Sequence, residues 1–187
     1  MKKINIYNVF LFALYLLFVN KAYAGNFEFS LGGSFERSLY SEVSYSWTRT
    51  YGASLSYHFT AFSGIELSYQ NSVERTEIEG YQDTTFTDKV YSASWVQSLT
   101  GRNTPIQPYF KLGVGQLNRD ATGSYFDGLV VPATRTDSIT GILAAGIRVF
   151  FTRGTAFRAE ANSYLTNFSA SSLGDNFKVN LGFSVYF

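Results

Sequence analysis

The chain has 187 residues, enough for a single domain; 18% of them are aromatic and none is cysteine. Without cysteine it can form no disulfide bond and offers no cysteine lipidation site. Its 15 lysine and arginine residues nearly balance 14 acidic residues, so the sequence lacks the basic surplus of a nucleic-acid-binding protein.

The first 24 residues have the pattern of a cleaved signal peptide. Two lysines precede an apolar run, Val9–Val19, that is too short for a comfortable transmembrane helix. Ala22–Ala24 then supplies a small-x-small cleavage site. We therefore expect residues 1–24 to be removed and residues 25–187 to form one domain. No second apolar run reaches the length of a spanning helix, so a membrane-inserted form would have to be a β-barrel.

Apolar and polar residues alternate in eight segments of the remaining chain, which is the period of a strand with two different faces. In chain order, the predicted strands cover residues 27–35, 45–59, 65–74, 90–99, 109–115, 139–151, 157–165 and 176–187. The connections alternate in length, with long polar segments at 36–42, 75–88, 118–136 and 169–175 and short ones at 60–64, 101–105 and 152–154. This pattern predicts an all-β fold, an eight-stranded antiparallel up-and-down transmembrane β-barrel with short turns at one end and long loops at the other.

Side-chain volume indicates which face of each predicted strand points out of the barrel. One face carries mostly Phe, Tyr, Leu, Ile and Val, and the other mostly Ser, Gly, Thr and Ala with isolated charges. An eight-stranded barrel has an interior just wide enough for side chains or one small ligand. The large apolar face therefore fits lipid, whereas a secreted lipocalin-like barrel would need it inside. The fourth strand has the least clear phase, because Val90 and Val96 fall on its polar face.

The last predicted strand has an unbroken apolar face that ends on an aromatic residue. Its residues include Val179, Leu181, Phe183, Val185 and Phe187. A half-buried edge strand of a soluble protein would alternate in the same way. The pattern also resembles the closing strand of bacterial outer-membrane barrels, in which a terminal Phe and alternating apolar residues serve as the assembly signal. The resemblance implies this role for the five residues, with the barrel-assembly machinery as a partner.

Four segments, including the end of this strand, carry a family resemblance: Gln107–Gly115, Ala145–Arg148, Phe157–Glu160 and Val185–Phe187. Over essentially all of the predicted domain, the chain resembles the small OmpA-like outer-membrane β-barrel domains. The resemblance implies a barrel in the bacterial cell outer membrane, in contact with outer-membrane lipid and lipopolysaccharide. These motifs are structural and do not indicate a specific activity.

The isolated charges on the inward face are the most informative feature for mechanism. Charged side chains in a narrow interior must pair with opposite charges, because moving an unpaired charge out of water carries a large free-energy cost. Three acids and three bases are predicted to form a salt-bridge network that closes the lumen: Glu28, Glu66, Lys111, Arg148, Arg158 and Glu160. The alternative is a narrow pore or small-solute channel lined by the same residues.

An enzyme of the lipid A-modifying kind is the less favoured alternative. An acyl hydrolase needs a nucleophile and an adjacent base, usually serine with histidine. The chain has one histidine, His58, which is followed by Phe59 and Thr60 rather than by a nearby serine. No metal cluster, phosphate loop or catalytic carboxylate pair stands out. The sequence therefore predicts no enzyme activity, no metal site and no cofactor.

The predicted long loops combine aromatic and acidic residues, as in Tyr81, Phe86, Asp83, Tyr125 and Asp127. Loops held by a rigid scaffold commonly carry recognition. We therefore expect a small monomeric outer-membrane protein with a structural or surface-interaction role. Adhesion or immune evasion through a surface receptor is the more specific form of this hypothesis, and solvated loops that touch lipopolysaccharide are the simpler one.

Overall fold

A computed structural model describes residues 26–39, 45–78, 82–101, 104–125, 130–169 and 177–187. They form eight strands, numbered in chain order: β1 (Phe27–Leu39), β2 (Tyr45–His58), β3 (Ser63–Ile78), β4 (Gln82–Ser98), β5 (Ile106–Tyr125), β6 (Val130–Thr152), β7 (Thr155–Thr166) and β8 (Phe177–Tyr186). The predicted signal peptide, residues 1–24, lies outside the described residues. Within them, no helix is long and apolar enough to cross a membrane.

The eight strands form one closed antiparallel barrel. Each strand pairs with the next one in the chain, and β8 pairs with β1 to complete the ring. At this closure Phe29 lies opposite Val185, and Phe27 exchanges two backbone hydrogen bonds with Phe187, at 3.2 and 3.0 Å. Closure removes the free sheet edges that lipid cannot tolerate. The predicted fold class is confirmed.

Large apolar side chains cover the outside of the barrel. Leu31, Leu67, Ile139, Phe151 and Phe183 are each more than half exposed, although all lie within regular strands. Their immediate neighbours in sequence point inward and are mostly small or polar, because successive side chains of a strand alternate between faces. The apolar core of a soluble protein is thus replaced by an apolar outer belt around a polar lumen.

In β4, inward and outward side chains alternate without interruption along the strand. Val90 and Val96 are inside the barrel, with 4% and 0% of their surface exposed, whereas Tyr91 and Trp95 point outward. The two valines that fell on the polar face are therefore lumen residues. They contribute apolar layers to an interior that is otherwise polar.

The segment 75–88, predicted as a long loop, is mainly a hairpin, so that prediction was wrong in its bounds. β3 and β4 remain paired out to Ile78 and Gln82. Arg75 on β3 donates two hydrogen bonds to Asp83 on β4, at 3.2 and 2.6 Å. Beyond the apolar belt both faces of a hairpin meet water, so its residues no longer alternate in hydropathy and the strand signal is lost.

The predicted loops at 36–42 and 118–136 were also too wide. β1 continues to Leu39, and β5 and β6 stay paired out to Ser124 and Val130, with one register shift on the way. The barrel therefore extends into paired hairpin arms. The short connections lie where they were predicted, including the tight turn between β6 and β7. We call the end with short connections the turn end and the opposite one the hairpin end.

Candidate functional site: the charged lumen

The six charged residues predicted to face the lumen lie together inside the barrel, towards the turn end. None of their side chains is more than 9% exposed, and they come from five different strands. Each stands at an inward position between two outward neighbours, which is why residues far apart in sequence meet. The set is Glu28, Glu66, Lys111, Arg148, Arg158 and Glu160.

Glu28 and Arg148 form the part of the cluster nearest the turn end. Nε of Arg148 donates to Oε1 of Glu28 at 3.1 Å, and Nη2 lies 3.0 Å from Oε2. The second carboxylate oxygen is also 2.8 Å from Nε2 of His58. Nη1 of Arg148 donates to Ser98 and to Gln107, both at 3.3 Å. One fully buried guanidinium thus connects β1, β4, β5 and β6.

Two bases bridge two acids in the other part of the cluster. Nζ of Lys111 lies 2.6 Å from Oε1 of Glu66 and 2.6 Å from Oε2 of Glu160. Arg158 donates Nη1 to Glu66 at 3.1 Å and Nη2 to Glu160 at 2.5 Å. Because every charge has an opposite charge within bonding distance, the cost of removing them from water is at least partly offset.

Tyr109 lies between the two parts of the cluster, a position that was not predicted from the sequence. The guanidinium carbon of Arg148 is 4.1 Å from the centre of its ring. Its hydroxyl accepts a hydrogen bond from Nε of Arg158 at 2.7 Å and donates one to Glu160 at 2.6 Å. Its inward position, two residues before Lys111 on β5, was the available signal.

Gly146 gives the Tyr109 side chain its space. The two residues are opposite one another on β6 and β5. A Cβ atom at Gly146 would lie 2.5 Å from the Tyr109 hydroxyl oxygen and 2.6 Å from the carbonyl oxygen of Ala159. A larger residue at this position would therefore displace the phenol that joins the two arginines.

Above the charges, a polar cavity of about 70 Å³ occupies the lumen. Gly182, Gly32 and Gly52 form a row across β8, β1 and β2 on its wall, and their missing side chains leave the space open. The side-chain amide nitrogens of Gln70 and Asn162, on other strands of the wall, have no hydrogen-bond partner among the described residues. A polar space of this size suits a few ordered water molecules.

An apolar layer separates the cavity from the hairpin end. It consists of the buried side chains of Val90, Leu117, Ile142 and Tyr164. Further out, Nε and Nη2 of Arg119 donate to the two carboxylate oxygens of Asp88, at 2.7 and 2.8 Å. Along the lumen the charged cluster is thus followed by an apolar layer and then by a further ion pair, which the sequence pattern did not indicate.

The enzyme alternative depends on the surroundings of His58. Nε2 of His58 is 2.8 Å from a carboxylate oxygen of Glu28, and among the described residues no serine hydroxyl is hydrogen-bonded to the ring, as an acyl hydrolase would require. Within the described ranges, no group of three His, Cys, Asp or Glu side chains could hold a metal ion.

Comparison with known families identifies the barrel. A family model described as "Outer membrane protein beta-barrel domain" matches residues 10–187. The chain belongs to this family. No match was found among curated proteins. The resemblance to the small OmpA-like barrels and the location in the bacterial outer membrane are thereby confirmed.

Several solved barrels share the fold. The N-terminal β-barrel domain of Pseudomonas aeruginosa OprF is 16% identical, with 87% of this chain and 98% of that one covered and a TM-score of 0.53. Ail, the attachment invasion locus protein of Yersinia pestis, is 18% identical, with 88% and 100% covered and a TM-score of 0.55. OprG of Pseudomonas aeruginosa is 16% identical, with 86% and 95% covered and a TM-score of 0.51. Such identities show the fold alone.

Membership of the family orients the barrel. Outer-membrane barrels have short periplasmic turns and longer extracellular loops, so the turn end faces the periplasm and the hairpin end faces outward. The charged cluster is therefore in the periplasmic half of the lumen. The hairpin arms extend away from the cell.

The five residues predicted as an assembly signal all lie on the outward face of β8 or directly after it. Val179, Leu181 and Phe183 are more than half exposed, and Val185 and Phe187 are partly covered. The ring of Phe187 stacks on that of Phe27 on β1, with ring centres 6.1 Å apart. Their role in assembly stays a prediction.

Proposed function

We propose that the protein is a monomeric surface-interaction protein, in which a closed barrel holds extracellular hairpins against a partner. The β5–β6 hairpin carries the proposal. These strands have 20 and 23 residues, whereas crossing the hydrocarbon core takes about 9–11. Roughly half of each strand therefore lies beyond the apolar belt, in paired form.

The outer parts of the hairpins are polar and carry ion pairs, one of them between two strands. Arg75 is bound to Asp83 across β3 and β4, and Arg135 is 3.3 Å from Asp137 on β6. Backbone pairing that continues into water gives a recognition surface a fixed shape, which lowers the entropy cost of binding. Ail is an attachment protein by its name, and this guides the choice of adhesion as the interaction to test.

The closed lumen supports a scaffold role over conduction. Charges, an apolar layer and an outer ion pair follow one another along the barrel axis, and an eight-stranded barrel normally leaves no aqueous channel. The polar cavity favours the alternative, a narrow pore, because it already occupies the centre of the lumen. In a planar bilayer we expect the pure protein to show no steady conductance. Steady ion-selective openings of the intact protein, with altered selectivity in an Arg148→Gln variant shown to be folded by heat-modifiable migration, would support the pore instead.

The proposal includes no catalytic activity. It rests on the surroundings of His58: among the described residues its ring is hydrogen-bonded to Glu28, and no serine hydroxyl is bonded to it. Turnover of lipid A by the protein in membranes, lost in a His58→Ala variant, would contradict it.

Shortening one hairpin tests the interaction role. Asp120 and Arg135 face one another across β5 and β6, so residues 121–134 can be replaced by Asn-Gly, a two-residue hairpin turn. The matched control replaces residues 77–83 in the β3–β4 hairpin, because Thr76 and Thr84 are likewise opposite.

Attachment of bacteria that display each variant is measured on cultured epithelial monolayers. We expect the β5–β6 variant to fall to the level of bacteria without the protein, while the β3–β4 variant retains most of its attachment. Heat-modifiable gel migration confirms that each barrel is folded. Attachment by the intact protein no higher than that of bacteria without it would contradict the proposal.

A further inference from the structure

Two arginines point out of the barrel near the hairpin end, and each lies against aromatic rings. The guanidinium carbon of Arg49 on β2 is 4.8 Å from the ring centre of Trp47 and 5.9 Å from that of Phe35. The guanidinium carbon of Arg37 on β1 is 5.5 Å from the ring centre of Tyr45. Both arginines are exposed. On the outer surface, two arginines thus lie against aromatic rings, whereas the bases of the lumen cluster are paired with acids.

The register of β1 and β2 makes these residues one surface patch. Phe35 lies opposite Arg49, and Arg37 lies opposite Trp47, in two neighbouring outward rows. Each arginine therefore has an aromatic residue directly across the sheet. We call these four residues the arginine–aromatic patch.

Neither arginine of the patch has an acidic partner in the described part of the chain. Arg75, the next residue in the row that contains Arg37 and Trp47, provides the contrast, because Asp83 binds it at 2.6 Å. The two patch arginines can therefore accept an external anion without breaking an ion pair.

The patch lies at the extracellular edge of the apolar belt. A strand tilted by about 40° rises roughly 2.5 Å along the barrel axis per residue. Arg49 is eight residues along β2 from Tyr57 near the turn end, and this corresponds to roughly 20 Å. Arg37 is ten residues from Phe27 on β1, or roughly 25 Å. The apolar belt of such barrels is about 25 Å tall. Arg37 therefore lies at the level of the outer-leaflet headgroups, and Arg49, roughly 5 Å lower, reaches that level with its long side chain.

An outward arginine at this level is more stable beside an anionic headgroup than beside acyl chains. Arginine is costly against the middle of the bilayer, and the cost approaches zero only near the interface. Lipid headgroups of the outer leaflet carry phosphates, and the planar guanidinium donates paired hydrogen bonds to phosphate oxygens. We propose that the arginine–aromatic patch binds the phosphate groups of a phosphorylated glycolipid in the outer leaflet.

The aromatic rings of the patch provide a local signal for binding. Trp47 and Trp95 are the two tryptophans, and Trp95 lies near the turn end. A Trp95→Phe background therefore leaves Trp47 as the single tryptophan, whose emission is excited selectively at a wavelength where tyrosine does not absorb. The protein in phosphatidylcholine nanodiscs is titrated with bisphosphorylated lipid A, and with the same lipid after both phosphates are removed. Retention of lipid A in native mass spectrometry gives a second readout that does not depend on Trp47.

We expect saturable binding of the bisphosphorylated lipid, weakened about tenfold in an Arg37→Gln/Arg49→Gln variant, since two charge-assisted contacts are lost. The dephosphorylated lipid should bind the intact protein as weakly as the phosphorylated lipid binds the variant. Arg153→Gln, which removes an exposed charge at the turn end, is the matched control and should leave binding unchanged. Equal affinity for the two lipids, or unchanged affinity in the double variant, would overturn the proposal. Both readouts use barrels shown to be folded by heat-modifiable migration, so neither depends on the attachment role.

Discussion

Arg148 on β6 and Glu28 on β1 form an ion pair across the lumen, and both side chains are fully buried. The residues are joined by a guanidinium–carboxylate contact at 3.0 Å and a second one at 3.1 Å. Two charges removed from water in this way stabilise a fold only as a pair. The loss of one partner should therefore be worse than the loss of both.

Removing the arginine alone should strongly destabilise the barrel. In Arg148→Met the Glu28 carboxylate keeps His58 but loses its main cation, and breaking a buried pair in this way typically costs about 3–5 kcal/mol. We expect Glu28→Gln/Arg148→Met to regain much of that loss, because no buried charge is then left without its partner. The measurement is the free energy of unfolding in denaturant for protein folded in lipid vesicles. Arg153→Gln, at an exposed turn, should change it little; simple additivity of the two lumen substitutions would contradict the interpretation.

A substitution at Gly146 tests the same cluster independently, through the position of Tyr109. In Gly146→Ala the new methyl group would meet the Tyr109 hydroxyl and the Ala159 carbonyl oxygen, at 2.5 and 2.6 Å. Such overpacking usually costs about 1–3 kcal/mol, and here it also moves the phenol away from Arg158. Gly101→Ala is the matched control, because a Cβ atom there would have no atom of the described residues within 4 Å. Equal stability of the two variants would show that the observed position of Tyr109 does not contribute to the stability of the barrel.

The sequence could predict the strands that cross lipid but not their full length. Leu67 faces the acyl chains and its neighbour Glu66 faces a narrow polar lumen. Hydropathy therefore alternates along this part of the strand. At Arg75 and Asp83 both faces meet water, and the alternation stops although the backbone pairing continues. The difference between a lipid-facing and a lumen-facing side, which makes a strand recognisable in the sequence, is absent outside the membrane.

The lumen shows a second limit. Alternation alone predicts that Glu66, Arg158 and Glu160 face inward. It does not predict that Arg158 reaches both carboxylates, because this depends on how the strands tilt and on which row each residue occupies. Tyr109 was missed for the same reason: its inward phase was visible, but its place between two arginines requires the register of β5 with β6.

The assignment of the outer face predicts a depth-dependent penalty for new charges. Leu67 is outward on β3, four residues from the turn-end start of the strand, and 59% of its surface is exposed. This places it near the middle of the apolar belt, where an arginine typically costs about 2–4 kcal/mol. Thr122 is exposed on β5, sixteen residues from the turn end of that strand and well beyond the belt. We expect Leu67→Arg to lower the free energy of unfolding in lipid vesicles by this amount and Thr122→Arg to leave it nearly unchanged. A small effect at both positions would mean that the exposed apolar face of β3 does not lie against lipid, and a large effect at both would mean that the belt extends along the hairpin arms.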